Sequence, residues 1–240
     1  MERCQTIEDG VRAVLKIYNI TEPDWELIPG DLCDTLRIGD QTVPLFWWRV
    51  DTQIAKMIDL APPRKLCSMK LNRTCTKAEG LDRLLYRELD IAEACLGAPV
   101  SQVMCYKREH SLMMLATMAN ERVAIFELAA VLHEDTPEQG RHTYWGQDGM
   151  ASDRVVSQKV PSEAVYLFSD DEEKAETYND IFLYTYGLNK TDATKAAAIA
   201  EVLMGWREVS DWTEKDAHYR ACMKAAWRSA ESGQRVEVTE

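Results

Sequence analysis

The sequence predicts an α+β fold, in which a mostly antiparallel sheet carries helices packed on one face. Three observations between residues 76 and 132 predict it. A segment with apolar residues at helical spacing comes first, and three segments with strand composition follow. The last two of these are joined only by Ala119, Asn120 and Glu121, which is short enough for a hairpin. A helix that buries one stripe needs a surface to cover, and such a sheet supplies it.

The central helix is expected to begin at Thr76 and Glu79, whose spacing is that of a capping box. Gly97 can end the helix in the left-handed conformation, and Pro99 prevents it from resuming. Apolar residues recur at helical spacing at positions 81, 84, 85, 89, 92, 95 and 96. The three expected strands run from 100 to 106, from 111 to 118 and from 122 to 132.

The region before this stretch predicts one helix and an irregular segment. Thr6 and Asp9 have the spacing of a helix cap, and apolar residues line one face of the following turns. Prolines interrupt residues 21 to 63, and Phe46-Trp47-Trp48 lies in a strand candidate there. Its rings are expected in the core; alternatively, one tryptophan covers a neighbouring element or a partner subunit. We therefore divide the chain into an N-terminal helix and irregular segment, residues 1–63, and an α+β domain, residues 64–240.

The remaining residues predict further strands and three helices. Strands are expected at 64 to 75, 141 to 145 and 165 to 168. Ser169 and Glu172 have capping-box spacing within an acidic run, which predicts a helix start there. The other two helices are expected at 191 to 206 and 211 to 232.

Composition excludes several classes of protein. The net charge of −12 disfavours a nucleic-acid partner, since that affinity depends on neutralising phosphates. Charges interrupt every apolar run, so no membrane span is expected, and the start lacks the apolar core of a signal peptide. The cytoplasm is therefore the expected compartment.

Seven cysteines without a C-x-x-C motif predict neither a disulfide framework nor a zinc site. His133 and His142, which flank an acidic segment, are the weak alternative for a metal.

Two runs of residues resemble a known family. The run Asp90-x6-Gly97-Ala98-Pro99-Val100 resembles the second half of the Gfo/Idh/MocA oxidoreductase motif, which has a His, an Asp three residues later, and a Gly-x-Pro after the helix. Residues 226–238 resemble the closing helix and strand of that family. The resemblance covers roughly residues 64 to 240 and implies the family's carboxy-terminal domain. It also implies a homo-oligomer through the open sheet face, with apolar contact candidates Phe46, Trp47, Met113 and Met114.

The chain departs from this family at two points. No Gly-x-Gly-x-x-Gly precedes or interrupts the resembling region, so no dinucleotide site is expected in this chain alone. Arg87 stands where the family's catalytic His would lie, and an arginine stays protonated at neutral pH. Arg87 is therefore either a ligand for an anionic substrate or a solvated helix residue. Asp90, at the position of the motif's Asp, either pairs with Arg87 or belongs to a residual substrate pocket.

Glu88 is the unusual residue of the central helix, because helical geometry places it within the apolar stripe. A buried carboxylate must be paired or protonated, which makes Glu88 a candidate catalytic residue together with Asp90. It could equally pair with a sheet lysine such as Lys70, or the helix could start later. Arg87 and Lys70 are the candidate substrate-binding residues.

Three functions fit these observations. The first is an accessory, oligomerising or ligand-binding subunit that works beside a full-length family oxidoreductase and takes a sugar-like small molecule. The second is a sugar or polyol oxidoreductase whose NAD(P) is bound by a nucleotide domain supplied in trans or by residues before this segment. The third is a sugar-acting lyase or hydrolase that uses Glu88 or Asp90. No cofactor is expected on this chain alone, and no metal.

Overall fold

The computed structural model describes residues 4–60, 66–153, 164–169, 173–177 and 187–239. The chain divides into two compact units. The first comprises Met1–Ala55 and Asn179–Asp216, and the second comprises Lys56–Tyr178 and Ala217–Glu240. The domain boundary expected after residue 63 stays a prediction. The compact units divide the chain differently, because the segment after residue 178 returns to the N-terminal unit.

The first unit contains helices and a small three-stranded sheet. Helix α1 begins as predicted, since the Thr6 hydroxyl accepts from the Asp9 amide at 3.2 Å and the Asp9 carboxylate accepts from the Thr6 amide. The elements here are α1 (Ile7–Ile17), β1 (Trp25–Ile28), β2 (Thr35–Ile38), β3 (Gln41–Pro44), a 3₁₀ turn (Trp47–Val50) and α4 (Lys190–Leu203). Helix α2 (Thr52–Leu60) leads from the first unit into the second.

The aromatic run that was expected in a strand instead enters the 3₁₀ turn. Phe46 stacks on Trp48 with ring centroids 5.5 Å apart, and both are buried, whereas Trp47 is half-buried. Core packing, the first interpretation of this run, is therefore confirmed for two of the three rings. Phe46 is fully buried, so the expectation that it contacts a partner is wrong.

The second unit is built on a nine-stranded sheet. Its strands follow the order β11-β10-β9-β8-β4-β7-β6-β5-β12. Among the strands that the structure describes, only β4 and β7 run parallel and the other neighbours are antiparallel, which confirms the predicted α+β class with a mostly antiparallel sheet. The strands are β4 (Leu66–Thr76), β5 (Val100–Lys107), β6 (Ser111–Met118), β7 (Val123–Leu132), β8 (Gln139–Gly146), β9 (Gly149–Ser152), β10 (Ala164–Ser169), β11 (Glu173–Thr177) and β12 (Val236–Glu237).

Helix α3 (Leu81–Leu96) covers one face of this sheet, against β4, β6 and β7. The alternation of β6 shows the two faces clearly. Leu112 and Met114 are buried, whereas Met113 and Leu115 between them are exposed. Met114 therefore lies in the core, and the expectation that it contacts a partner is wrong, whereas Met113 lies on the open face as expected.

Helix α5 (Trp212–Ser232) and β12 close the chain as predicted for the end of the domain. Gly233 follows the helix with φ +69°, the left-handed conformation that suits a helix stop. Strand β12 then pairs with β5, Val236 opposite Val103, and forms the edge of the sheet. Among the described residues, none of the helices has both the length and the apolar content needed to cross a membrane.

Two predicted helix starts are wrong. Thr76 is the last residue of β4, and its hydroxyl accepts from the Glu79 amide in a turn; α3 begins only at Leu81, after Gly80 with φ +83°. In the acidic run, residues 173–177 form β11 and pair with β10, while residues 170–172 lie outside the described residues. In both places pairing with a neighbouring strand overrides a local capping signal.

Candidate functional site

The central turns of helix α3 are enclosed on every side. Each residue from Leu84 to Ala92 is buried, although the segment includes Arg87, Glu88 and Asp90. Of the two interpretations of Arg87, the solvated helix residue is therefore wrong. Buried charges must find partners of opposite charge, so the contacts of these three side chains decide what the site can do.

Glu88 is paired with His142, which the sequence suggested only as a weak metal candidate. Glu88 Oε2 lies 2.7 Å from His142 Nε2, and His142 Nδ1 lies 2.5 Å from Asp153 Oδ2. The other oxygen of Asp153 accepts from the His142 backbone amide at 2.7 Å. An imidazole thus lies between two carboxylates, and Glu88 and His142 have no exposed surface.

This arrangement keeps His142 protonated and Glu88 ionised at neutral pH. Burial and nearby Arg73 oppose the imidazolium, but Glu88 and Asp153 outweigh them and raise the pKa of His142 to about 9. Burial opposes the charge on Glu88 as well, yet His142, Arg73 and Arg87 lower the pKa of Glu88 to about 2. The same histidine keeps the pKa of Asp153 below its ordinary value despite burial.

The Arg87 guanidinium is held by three carboxylates. It makes a bidentate contact with Glu138, with Nη2–Oε1 at 2.6 Å and Nη1–Oε2 at 3.0 Å. Its Nε donates to Glu88 Oε1 at 3.2 Å, and Nη1 donates to Glu79 Oε1 at 3.4 Å. Only 9% of the Arg87 side chain is exposed. These donors are therefore already used within the protein.

Arg73 of β4 completes the network from the sheet. Its Nε lies 3.3 Å from Glu138 Oε1 and 3.8 Å from Glu88 Oε1, and its Nη2 lies 3.5 Å from Asp153 Oδ2. Together the cluster sets three cations against four carboxylates, so its charges nearly cancel when His142 is protonated. We call it the buried ion network; its members are Arg73, Glu79, Arg87, Glu88, Glu138, His142 and Asp153.

The four predicted site residues do not form one site. Arg87 and Glu88 both belong to the buried ion network, but Asp90 accepts from the Tyr219 hydroxyl at 2.8 Å. Lys70 pairs with Glu127 at 2.8 Å and lines a concavity of about 470 Å³ with Arg141 on the open face of the sheet. The suggested pairing of Glu88 with Lys70 is therefore wrong.

Only an indirect signal for this network is present in the sequence. Glu88 within an apolar stripe required a cationic partner, but His142 lies 54 residues away and Asp153 a further 11. Which strand faces the helix at that point depends on sheet order, which spacing does not reveal. The metal alternative at His133 and His142 joins residues in opposite environments, since the His133 side chain is 80% exposed and His142 is buried.

The fold resembles solved oxidoreductases. An oxidoreductase from Agrobacterium radiobacter, in complex with NAD+, L-tartaric acid and magnesium, has a TM-score of 0.65 at 14% identity, covering 98% of this chain and 70% of its own. Levoglucosan dehydrogenase in complex with NADH and L-sorbose has a TM-score of 0.62 at 14% identity, covering 81% and 65%. An oxidoreductase domain protein from Kribbella flavida has a TM-score of 0.61 at 11% identity, covering 81% and 66%.

These matches decide the fold. The chain has the fold of the carboxy-terminal domain of Gfo/Idh/MocA-type oxidoreductases. The resemblance predicted from Asp90, Gly97 and Pro99 is thereby confirmed at the level of fold. The chain spans less than two thirds of the length of several of these structures, including 63% of one from Thermotoga maritima. No family model and no curated protein matches the sequence.

Proposed function

We propose that this chain is a non-catalytic, assembling subunit with an oxidoreductase fold, which works beside a nucleotide-binding domain on another polypeptide or segment. The observation that carries the proposal is that the Arg87 guanidinium is already bound by carboxylates of this chain. In the family that the sequence resembles, this position holds the His that exchanges a proton with the substrate. Here it holds a side chain that stays protonated and is fixed by Glu138, Glu88 and Glu79.

The open sheet face supports the assembling role. Met113 and Leu115 are exposed there, and the Lys70–Glu127 pair lies on the same side, so the surface mixes apolar and paired charged groups. We take a second copy of this chain as its partner, because the resembling family commonly pairs subunits through this face. A full-length family oxidoreductase is the other partner that we propose, and the cytoplasm is the proposed compartment.

The proposed role needs no cofactor on this chain alone. NAD+ and NADH are bound by solved proteins whose fold resembles that of this chain. We propose that any NAD(P) used with this chain is bound by its partner. A sugar-like molecule is the class of ligand that the names of levoglucosan dehydrogenase and its relatives suggest.

An oxidoreductase active with a nucleotide domain in trans is the second candidate, favoured by the same fold matches. A lyase or hydrolase that uses Glu88 has less support. Glu88 has no exposed surface, and with a pKa of about 2 it carries no proton to donate at neutral pH.

The experiment compares the wild-type chain with Arg87→His, which restores the family's residue type. We expect the variant to lose about 3–5 kcal/mol in the free energy of unfolding, because Glu88 keeps a buried charge without its guanidinium partner. We expect neither protein to reduce NAD+ or NADP+ with sugars or polyols, alone or mixed with a full-length oxidoreductase beyond that enzyme's own rate. Chemical denaturation and absorbance of the reduced nucleotide measure these outcomes.

Arg83→His is the matched control, since Arg83 lies one turn earlier on α3 and is only half-buried. It should change the free energy of unfolding by less than about 1 kcal/mol. Nucleotide reduction that depends on the wild-type chain would contradict the proposal and favour the oxidoreductase.

A further inference from the structure

Three side chains with metal-binding atoms meet between α3 and α5 in the second unit. Glu93 extends from α3, and His218 and Cys222 lie one turn apart on α5. Glu93 Oε1 is 2.8 Å from His218 Nε2, which is 3.4 Å from Cys222 Sγ, and the three ligand atoms lie within 4.8 Å of one another. Residues four apart on a helix lie on the same face, so both α5 side chains point towards Glu93.

Two of these separations, 2.8 Å and 3.4 Å, are close to those of a tetrahedral zinc site, and the third is at most 4.8 Å. Zinc bond lengths to nitrogen, oxygen and sulfur place neighbouring ligand atoms about 3.4–3.6 Å apart. The separation between His218 and Cys222 already matches. The separation between Glu93 and His218 would increase by about 0.6 Å, which is a small side-chain movement.

The surroundings of the cluster also suit a metal ion. Glu93 Oε1 accepts from the Val100 backbone amide at 2.7 Å, and this bond orients the carboxylate in the way that outer partners orient metal ligands. The side chains of Glu93 and His218 are 11% and 14% exposed, so solvent reaches the cluster, while Cys222 is buried beneath it. A cation therefore has a path of entry, and water has a place in its coordination shell.

We propose that Glu93, His218 and Cys222 bind one Zn2+ with water as the fourth ligand. A thiolate and an imidazole favour zinc over magnesium or calcium, which prefer oxygen ligands. Binding displaces the thiol proton of Cys222 to solvent, and the ion joins α3 to α5. The expectation of no metal depended on the absence of a C-x-x-C motif. This site lacks such a motif, and its carboxylate lies 125 residues from its histidine.

The test titrates the chelator-treated full chain with Co2+ and then with Zn2+. We expect one Co2+ per chain, with the visible absorption of tetrahedral cobalt and a thiolate-to-cobalt charge-transfer band, and displacement of both by one equivalent of Zn2+. Cys222→Ser should abolish the charge-transfer band, and both Cys222→Ser and His218→Gln should weaken binding at least about 100-fold.

Cys67→Ser is the matched control, because Cys67 is an exposed thiol on β4 and is none of the three proposed ligands, and this variant should bind Co2+ as the wild type does. Circular dichroism checks that the variants fold. If Cys222→Ser does not fold, the wild-type spectrum and the Co2+ affinity of Glu93→Gln test the proposal instead. An octahedral cobalt spectrum without the charge-transfer band overturns the proposal. So does a charge-transfer band that survives Cys222→Ser or disappears with Cys67→Ser, or unchanged Co2+ affinity in Glu93→Gln.

Discussion

His142 is the residue on which the charge balance of the buried ion network depends. With its proton, the network has three cations for four carboxylates; without it, Glu88 and Asp153 lose the cation between them. Because removal of one partner from a buried pair costs far more than the pair itself contributes, the protonation of this single imidazole is coupled to folding.

We predict that stability falls as the pH rises from about 6.5 to about 9. The pKa of His142 is raised from 6.5 in the unfolded chain to about 9 in the folded chain, so the folded chain binds the proton more tightly in this window. The stabilisation is complete below about pH 6.5 and is lost as the pH passes the folded pKa. The slope approaches about 1 kcal/mol per pH unit, measured by denaturant unfolding at each pH.

His142→Gln should lower stability at pH 6.5 and remove this slope. His133→Gln should keep both, since the His133 side chain is 80% exposed. A slope that is the same in His142→Gln and in the wild type would contradict the assignment of this proton to His142.

For single residues, the sequence predicted burial but not which side chains they contact. The position of Glu88 in the apolar stripe predicted correctly that it is buried and paired or neutral, because helical periodicity is a local property. Its partner was not predictable, because His142 and Arg73 lie on separate strands that only the sheet order brings together. Asp90 likewise meets Tyr219, 129 residues later in the chain.

At the scale of elements, Ser229 of α5 ties the closing helix to the edge of the sheet. Its hydroxyl accepts from the Cys105 amide at 2.9 Å and donates to the Gln234 carbonyl at 2.5 Å. Strand β12 pairs with β5 only at Val103 and Gln102, so Ser229 satisfies a buried amide beyond the last strand pair.

We predict that Ser229→Ala lowers the free energy of unfolding by about 1–3 kcal/mol, because it leaves the buried Cys105 amide without this acceptor. Amide hydrogen exchange at Cys105 should also become faster. Ser232→Ala, an exposed serine one turn later, should change stability by less than about 0.5 kcal/mol. Equal effects of the two substitutions would contradict the proposed role of Ser229.

Secondary-structure elements were predicted correctly where the signal is local, and wrongly where pairing between strands determines the structure. The stop of α3 at Gly97 and the strand at 111–118 were confirmed, because both depend on nearby residues. The capping signals at Thr76 and Ser169 gave wrong predictions, because pairing with neighbouring strands stabilises β4 and β11.

At the scale of the whole molecule, the two faces of the nine-stranded sheet have different roles. One face carries α3 and the buried ion network. The other exposes Met113 and Leu115 and is, in our proposal, the surface through which two copies associate. The fold class followed from the order of helix and strands, but the nine-strand order and the return of the segment after residue 178 to the first unit depend on long-range contacts.

Native mass spectrometry of the wild-type chain, Met113→Glu and Ile17→Glu, each with NADH and NADPH added, tests the central claim most directly. Met113 and Ile17 are both 55% exposed, but only Met113 lies on the open sheet face. The account predicts a nucleotide-free dimer or larger assembly for the wild type and Ile17→Glu, and a monomer for Met113→Glu, because a carboxylate there would be buried without a partner. A wild-type chain that is monomeric at every concentration, or that carries a bound nucleotide, would contradict it.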